Sequence, residues 1–121
     1  MKVAHAADEL EPRPRAVAPG TFDGVHLGHR RVLEAAIASR GELVPTVVTF
    51  WPHPRIVLGN DVGLLTTLER RLELLAETGV EETLVVEFTS EVADMAPEAF
   101  AAEMLTPIGT RLVVKDRKSV V

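Results

Sequence analysis

With 121 residues, 46% of them apolar and 26% charged, the chain has the length and composition of one compact domain, which excludes both a two-domain protein and a disordered tail. A net charge of −5 gives the surface no general attraction for nucleic acid or an anionic membrane, so any anionic ligand must be held by local donors. The absence of cysteine excludes disulfides, thiolate zinc sites and cysteine nucleophiles together.

Residues 1–14 read as an irregular lead-in stiffened by Pro12 and Pro14, with no apolar segment of the kind a signal peptide needs. No apolar run approaches the length of a membrane span, and a cytoplasmic location is expected. A short strand is predicted at residues 16–18, ended by Pro19-Gly20. A helix is predicted over residues 28–39, where Val32, Leu33, Ala36 and Ile37 share one face and Gly41 follows as a stop. Residues 43–50, rich in Val and Thr, read as a buried strand. Trp51-Pro52-His53-Pro54-Arg55 fits neither a helix nor a central strand, because its prolines lack donors.

Thr66-Thr67-Leu68-Glu69 has capping-box spacing and opens a second helix, with Leu68, Leu72, Leu75 and Ala76 on one face and Gly79 at its close. Residues 83–88 read as a third strand. Pro97 suits the first turn of a short helix carrying Phe100 and Met104 on one side, and residues 111–114 begin a fourth strand. This alternation predicts an α/β fold with a Rossmann-like parallel sheet. Such sheets take ligands beyond the C-terminal ends of their strands, so residues 20–29 and 51–55 are expected at one crevice.

The segment Gly20-Thr21-Phe22-Asp23-Gly24-Val25-His26-Leu27-Gly28-His29 leads straight into the first helix. Its glycines let backbone approach a ligand closely. His26 and His29, three residues apart at a helix start, can turn both rings to one side, where the helix N-terminus adds free N–H donors. That combination makes a polyphosphate cradle without a lysine. An isolated HxxH is more often capping or surface chemistry, and no HExxH context supports zinc, so no metal-ligating residues are assigned. The phosphate motifs GxGxxG and GxxxxGK are absent.

The ten-residue string resembles the HxGH signature of the adenylyl- and cytidylyltransferase superfamily. Thr49-Phe50-Trp51-Pro52-His53-Pro54-Arg55 is similar to the TFxPHPR segment of one family within it, the bacterial bifunctional riboflavin kinase/FMN adenylyltransferases, or FAD synthetases. Leu65-Thr66-Thr67, Gly79-Val80 and Ala96-Pro97-Glu98-Ala99-Phe100 are further echoes, and the likeness runs over residues 15–114. It implies transfer of AMP from ATP to FMN, giving FAD and pyrophosphate, with Mg²⁺ accompanying ATP. His26 and His29 then match the histidines that hold the ATP phosphates, and Gly20, Thr21, Phe22 and Gly28 match the loop lining the nucleotide. Asp23 matches either a ligand or a carboxylate that fastens the loop. Pro52, His53, Pro54 and Arg55 fall on the FMN side. The alternatives are another HxGH transferase and a catalytically inactive fragment.

The family pattern continues with a GxDFxFG-like segment, an ISSTxIR-like segment and a riboflavin kinase domain, none of which this sequence contains. In their place stands Lys115-Asp116-Arg117-Lys118-Ser119-Val120-Val121, whose last six residues match one reading frame of a common sequencing adapter. Residues 115–121 are therefore expected to be a non-native tail, and the sheet to be incomplete at its C-terminal side.

Overall fold

The computed structural model describes residues 1–20, 22, 27–38, 41–52 and 67–114, and of residues 27–29 the backbone alone. The elements in chain order are β1 (Lys2–Ala4), a 3₁₀ turn (Ala7–Glu9), β2 (Arg15–Pro19), α1 (Leu27–Ala38), β3 (Val44–Trp51) and α2 (Leu68–Glu77). β4 (Glu82–Glu87), α3 (Ser90–Asp94), α4 (Pro97–Phe100), a π-helical turn (Ala101–Leu105) and β5 (Thr110–Val113) complete them. The strands form one sheet in the order β1-β4-β3-β2-β5, and every pairing in it is parallel. The α/β reading with a Rossmann-like parallel sheet is therefore correct.

The sequence reading missed β1. Residues 2–4 were expected to be irregular, yet Lys2, Val3 and Ala4 pair in parallel with Glu82, Thr83 and Leu84. Three residues carry too little periodicity to announce a strand; the partner strand, 80 positions away, decides it. The short helix α3 was also missed, although Thr89 caps it by accepting the Val92 N–H at 3.2 Å.

The second helix starts one residue later than the capping box implied. Thr67 is the N-cap and accepts the Arg70 N–H at 3.1 Å, so Arg70, not Glu69, stands at the third helical position. Its buried side chains are Arg71 and Leu75, while Leu68, Leu72 and Leu74 are half-buried and Ala76 faces solvent.

Successive residues of the central strands point to opposite faces, and each face has its own core. Ala18 and Val47 join Phe22, Val32, Leu33, Ala36, Leu75 and Val80 beneath α1 and α2. Val17 and Val48 join Ala4, Leu10, Leu84, Val86, Leu105 and Ile108 on the other face. Burying a Leu or Ile side chain contributes about 1.5–3 kcal/mol, so these two layers supply most of the driving force.

The N-terminal ends of the strands are locked by charge. Arg15, 1% exposed, donates to Glu82 Oε2 at 2.7 Å and to the Glu11 carbonyl at 2.7 Å, and it also reaches the Ile108 carbonyl. Arg13, half-exposed, binds Oε1 of the same carboxylate at 3.0 Å.

Candidate functional site

Leaving β1 aside, the strand order is β4-β3-β2-β5. The chain leaves β2 for β3 on one side and returns to β5 on the other. The C-terminal end of β2 is thus a topological switch point, where the two crossovers part and leave a crevice.

Gly20 stands at that end. Its N–H donates to the Val48 carbonyl at 2.9 Å, tying the strand exit to β3. Two residues on, Phe22 adopts φ +53, a left-handed conformation that a bulky residue enters only under constraint. Its ring is 2% exposed and lies in the core beneath α1. The Phe22 side chain thus packs into the core directly after the strand exit. A Cβ on Gly20 would lie 3.0 Å from Phe22 Cε2, so the bare backbone at 20 is what admits that ring.

Gly28 and His29 fall in the first turn of α1, where the N–H groups of a helix have no intrahelical acceptor. Thr21, Asp23 and His26 lie outside the described residues. The described residues thus place the end of β2 at the switch point and the start of α1 at Leu27.

The second predicted segment begins at the neighbouring strand end. Pro19 of β2 is level with Val48 of β3, and β3 runs on to Trp51, followed by Pro52 across a cis peptide bond. Pro52 and Gly20 thus leave adjacent parallel strands at the same end of the sheet. His53, Pro54 and Arg55 lie outside the described residues.

One residue at this end was not singled out from sequence. Arg71, from the core-facing side of α2, is 0% exposed. It donates to Thr49 Oγ1 at 3.1 Å and to the Phe50 carbonyl at 2.9 Å, and its guanidinium lies 5.6 Å from the centre of the Trp51 ring. The available signal was an arginine three residues after Leu68 and four before Leu75, on the stripe that should be wholly apolar.

Among the described residues no group of three or more His, Cys, Asp or Glu side chains could hold a metal ion, and no helix is long and apolar enough to cross a membrane. An open hollow lined by Lys2, Arg13, Glu81 and Glu82 lies at the opposite end of the sheet. Its charged side chains include the Arg13–Glu82 pair of the N-terminal lock, and it is remote from the strand ends that bind ligands in such folds.

Comparisons with known proteins agree with this geometry. A family model described as FAD synthetase matches residues 8–115. A bifunctional riboflavin kinase/FMN adenylyltransferase of Listeria monocytogenes is 40% identical over 112 residues, 88% of this chain and 36% of the relative. Its Bacillus subtilis counterpart is 36% identical, covering 91% of this chain and 36% of its own length. A Listeria monocytogenes FAD synthetase is 33% identical over 94% of this chain and 49% of itself. The chain thus spans about a third to a half of the length of these relatives. A solved structure described as a macrolide-efflux protein from Streptococcus pneumoniae superposes with a TM-score of 0.77, covering 93% of this chain and 46% of its own. At 24% identity, that likeness shows the fold alone.

Proposed function

Because the chain belongs to the FAD synthetase family, we propose that it carries the front part of an FMN adenylyltransferase site, which transfers AMP from ATP to FMN and releases pyrophosphate. What supports this reading is that β2 ends at the switch point of a parallel sheet and the next element, α1, begins at Leu27, within the ten-residue string. The full-length protein would join this module to a riboflavin kinase domain and work in the cytoplasm, with no nucleic-acid or membrane partner.

The reaction is an in-line displacement. A phosphate oxygen of FMN attacks the α-phosphorus of ATP, the bond to the bridging oxygen breaks, and pyrophosphate carries away the electron pair. FMN phosphate is already a competent nucleophile, so no covalent enzyme intermediate is required. Mg²⁺, arriving with ATP, neutralises charge on the phosphates. This chain's share is positioning and charge stabilisation. The N–H groups at the start of α1, with His26 and His29, hold the polyphosphate and stabilise the charge that develops on the leaving group. Gly20, Thr21, Phe22 and Gly28 belong to the loop lining the nucleotide, the glycines letting backbone come close, with Asp23 either fastening the loop or reaching the ligand. Pro52, His53, Pro54 and Arg55 receive FMN, a fixed guanidinium being well matched to its phosphate. The domain so assigned is residues 15–114, and residues 115–121 stand outside it as the proposed non-native tail.

The test is calorimetric titration of Mg·ATP into the folded chain and into the His26→Ala/His29→Ala double variant. Binding that the variant loses supports the cradle. Equal binding by both refutes it. No binding by a well-folded parent assigns these 121 residues the inactive reading, in which the remainder of the site is needed to hold nucleotide. In a full-length enzyme, either single substitution is expected to lower turnover by about 10²–10³-fold while FMN affinity changes little.

A further inference from the structure

The two predicted segments leave one feature of this end of the sheet unused. Arg71 comes from a helix, yet all its contacts described above converge on the last three residues of β3: Thr49, Phe50 and Trp51. A buried guanidinium is costly to desolvate, and a Leu at this position would continue the apolar stripe of α2. Its contacts are geometric as well as electrostatic. Two N–H bonds fix the height of the strand end, and the flat cation beside the indole fixes the Trp51 ring. Trp51 is joined directly to Pro52, so whatever holds Thr49, Phe50 and Trp51 sets where the chain leaves the sheet.

We infer that Arg71 is a positioning residue for the FMN side of the site: it clamps the C-terminal end of β3 and thereby fixes the chain exit at Trp51-Pro52. The inference rests on the proposed function for the ligand but not for the clamp itself. The nucleotide side leaves from β2, whereas the bonds and ring contact of Arg71 described above go to β3, so the larger effect of the clamp is expected on the FMN side.

The sequence contains a single Trp and no Tyr, so near-ultraviolet emission reports Trp51 alone. The experiment compares the parent with Arg71→Met, which keeps length without charge, and Arg71→Lys, which keeps charge without the planar fork. Trp51 emission, its quenching by acrylamide, and titrations with FMN and with Mg·ATP are read on each. In Arg71→Met, Trp51 is expected to shift its emission maximum and quench more readily, and FMN affinity to fall about tenfold with Mg·ATP affinity unchanged. Arg71→Lys should recover part of both effects.

Unchanged Trp51 emission and quenching in Arg71→Met overturns the clamp whatever the ligands do. So does a loosened Trp51 with undiminished FMN affinity, or an equal loss for both ligands, which would mark a merely structural role. If Arg71→Met does not fold, Thr49→Val removes one acceptor of the clamp at constant volume and carries the same readouts. A parent that binds no FMN, combined with a loosened Trp51 in the variant, refutes the FMN reading for these residues while the clamp stands.

Discussion

Two arginines are buried at opposite ends of the same sheet, and they hold different things. Arg15 begins β2 and meets a carboxylate from β4, together with carbonyls of Glu11 and Ile108, so three separated stretches of chain, around residues 11–15, 82 and 108, are joined through one cation. Arg71 reaches from α2 to a hydroxyl, a carbonyl and an indole that are consecutive in β3. The first closes the scaffold; the second holds one place where the chain departs from it. In a parallel α/β sheet the N-terminal edge carries stability and the C-terminal edge carries ligands. Here each edge has been given a buried guanidinium suited to its task.

The contrast breaks most sharply at Glu82. Glu82→Ala leaves Arg15 buried without its carboxylate and is expected to cost about 3–5 kcal/mol in urea unfolding. Arg13→Ala, which removes the half-exposed partner of the same carboxylate, should cost about 1 kcal/mol or less. Similar losses from the two substitutions would mean that the lock is not centred on Arg15.

Two glycines sharpen the comparison further. Gly109 has φ +86, and a Cβ there would run into the backbone of Arg13, which cannot turn aside as a flexible side chain can. Gly109→Ala should therefore destabilise by about 3 kcal/mol, read as a lowered urea midpoint. At the other end, the obstacle to a Cβ on Gly20 is the edge of the Phe22 ring, at 3.0 Å. A side chain can shift by a few tenths of an ångström, so Gly20→Ala should cost about 1 kcal/mol. Its larger consequence should be weakened Mg·ATP binding, since Gly20 and Phe22 stand at the start of the proposed nucleotide loop. A Gly20→Ala chain with lowered stability but parental Mg·ATP binding would separate that packing from the cradle.

Much of this was legible in the residues, because strong local signals coincide with the global plan. Val32, Leu33 and Ala36 marked the buried face of α1, the Val- and Thr-rich run marked β3, and Gly79 at φ +96 closed α2 as expected. The ten-residue string at 20–29 marks where the proposed site begins, and most of its loop lies outside the described residues. What escaped depends on partners far away in sequence. Lys2, Val3 and Ala4 become a strand only because β4 offers them an edge. Arg71 looks like an interruption of a helix face until Thr49 and Trp51 are seen beneath it. Phe22 sits inside a ligand-loop signature, and only packing shows that its ring belongs to the core. The cap at Thr67 was misread by one position because two adjacent threonines are equivalent to a pattern and not to a backbone.

The strand that leads into the proposed nucleotide loop has one near neighbour and one distant one. β2 meets β3 across 29 positions, from Arg15 to Val44, and β5 across 95, from Arg15 to Thr110. Loop closure grows only with the logarithm of length, so the longer closure costs about 1 kcal/mol more, a minor penalty at equilibrium. In time the difference is larger. A chain emerging from the ribosome can lay β2 against β3 long before residues 110–113 exist, so the β5 side of this strand is paired later than the β3 side.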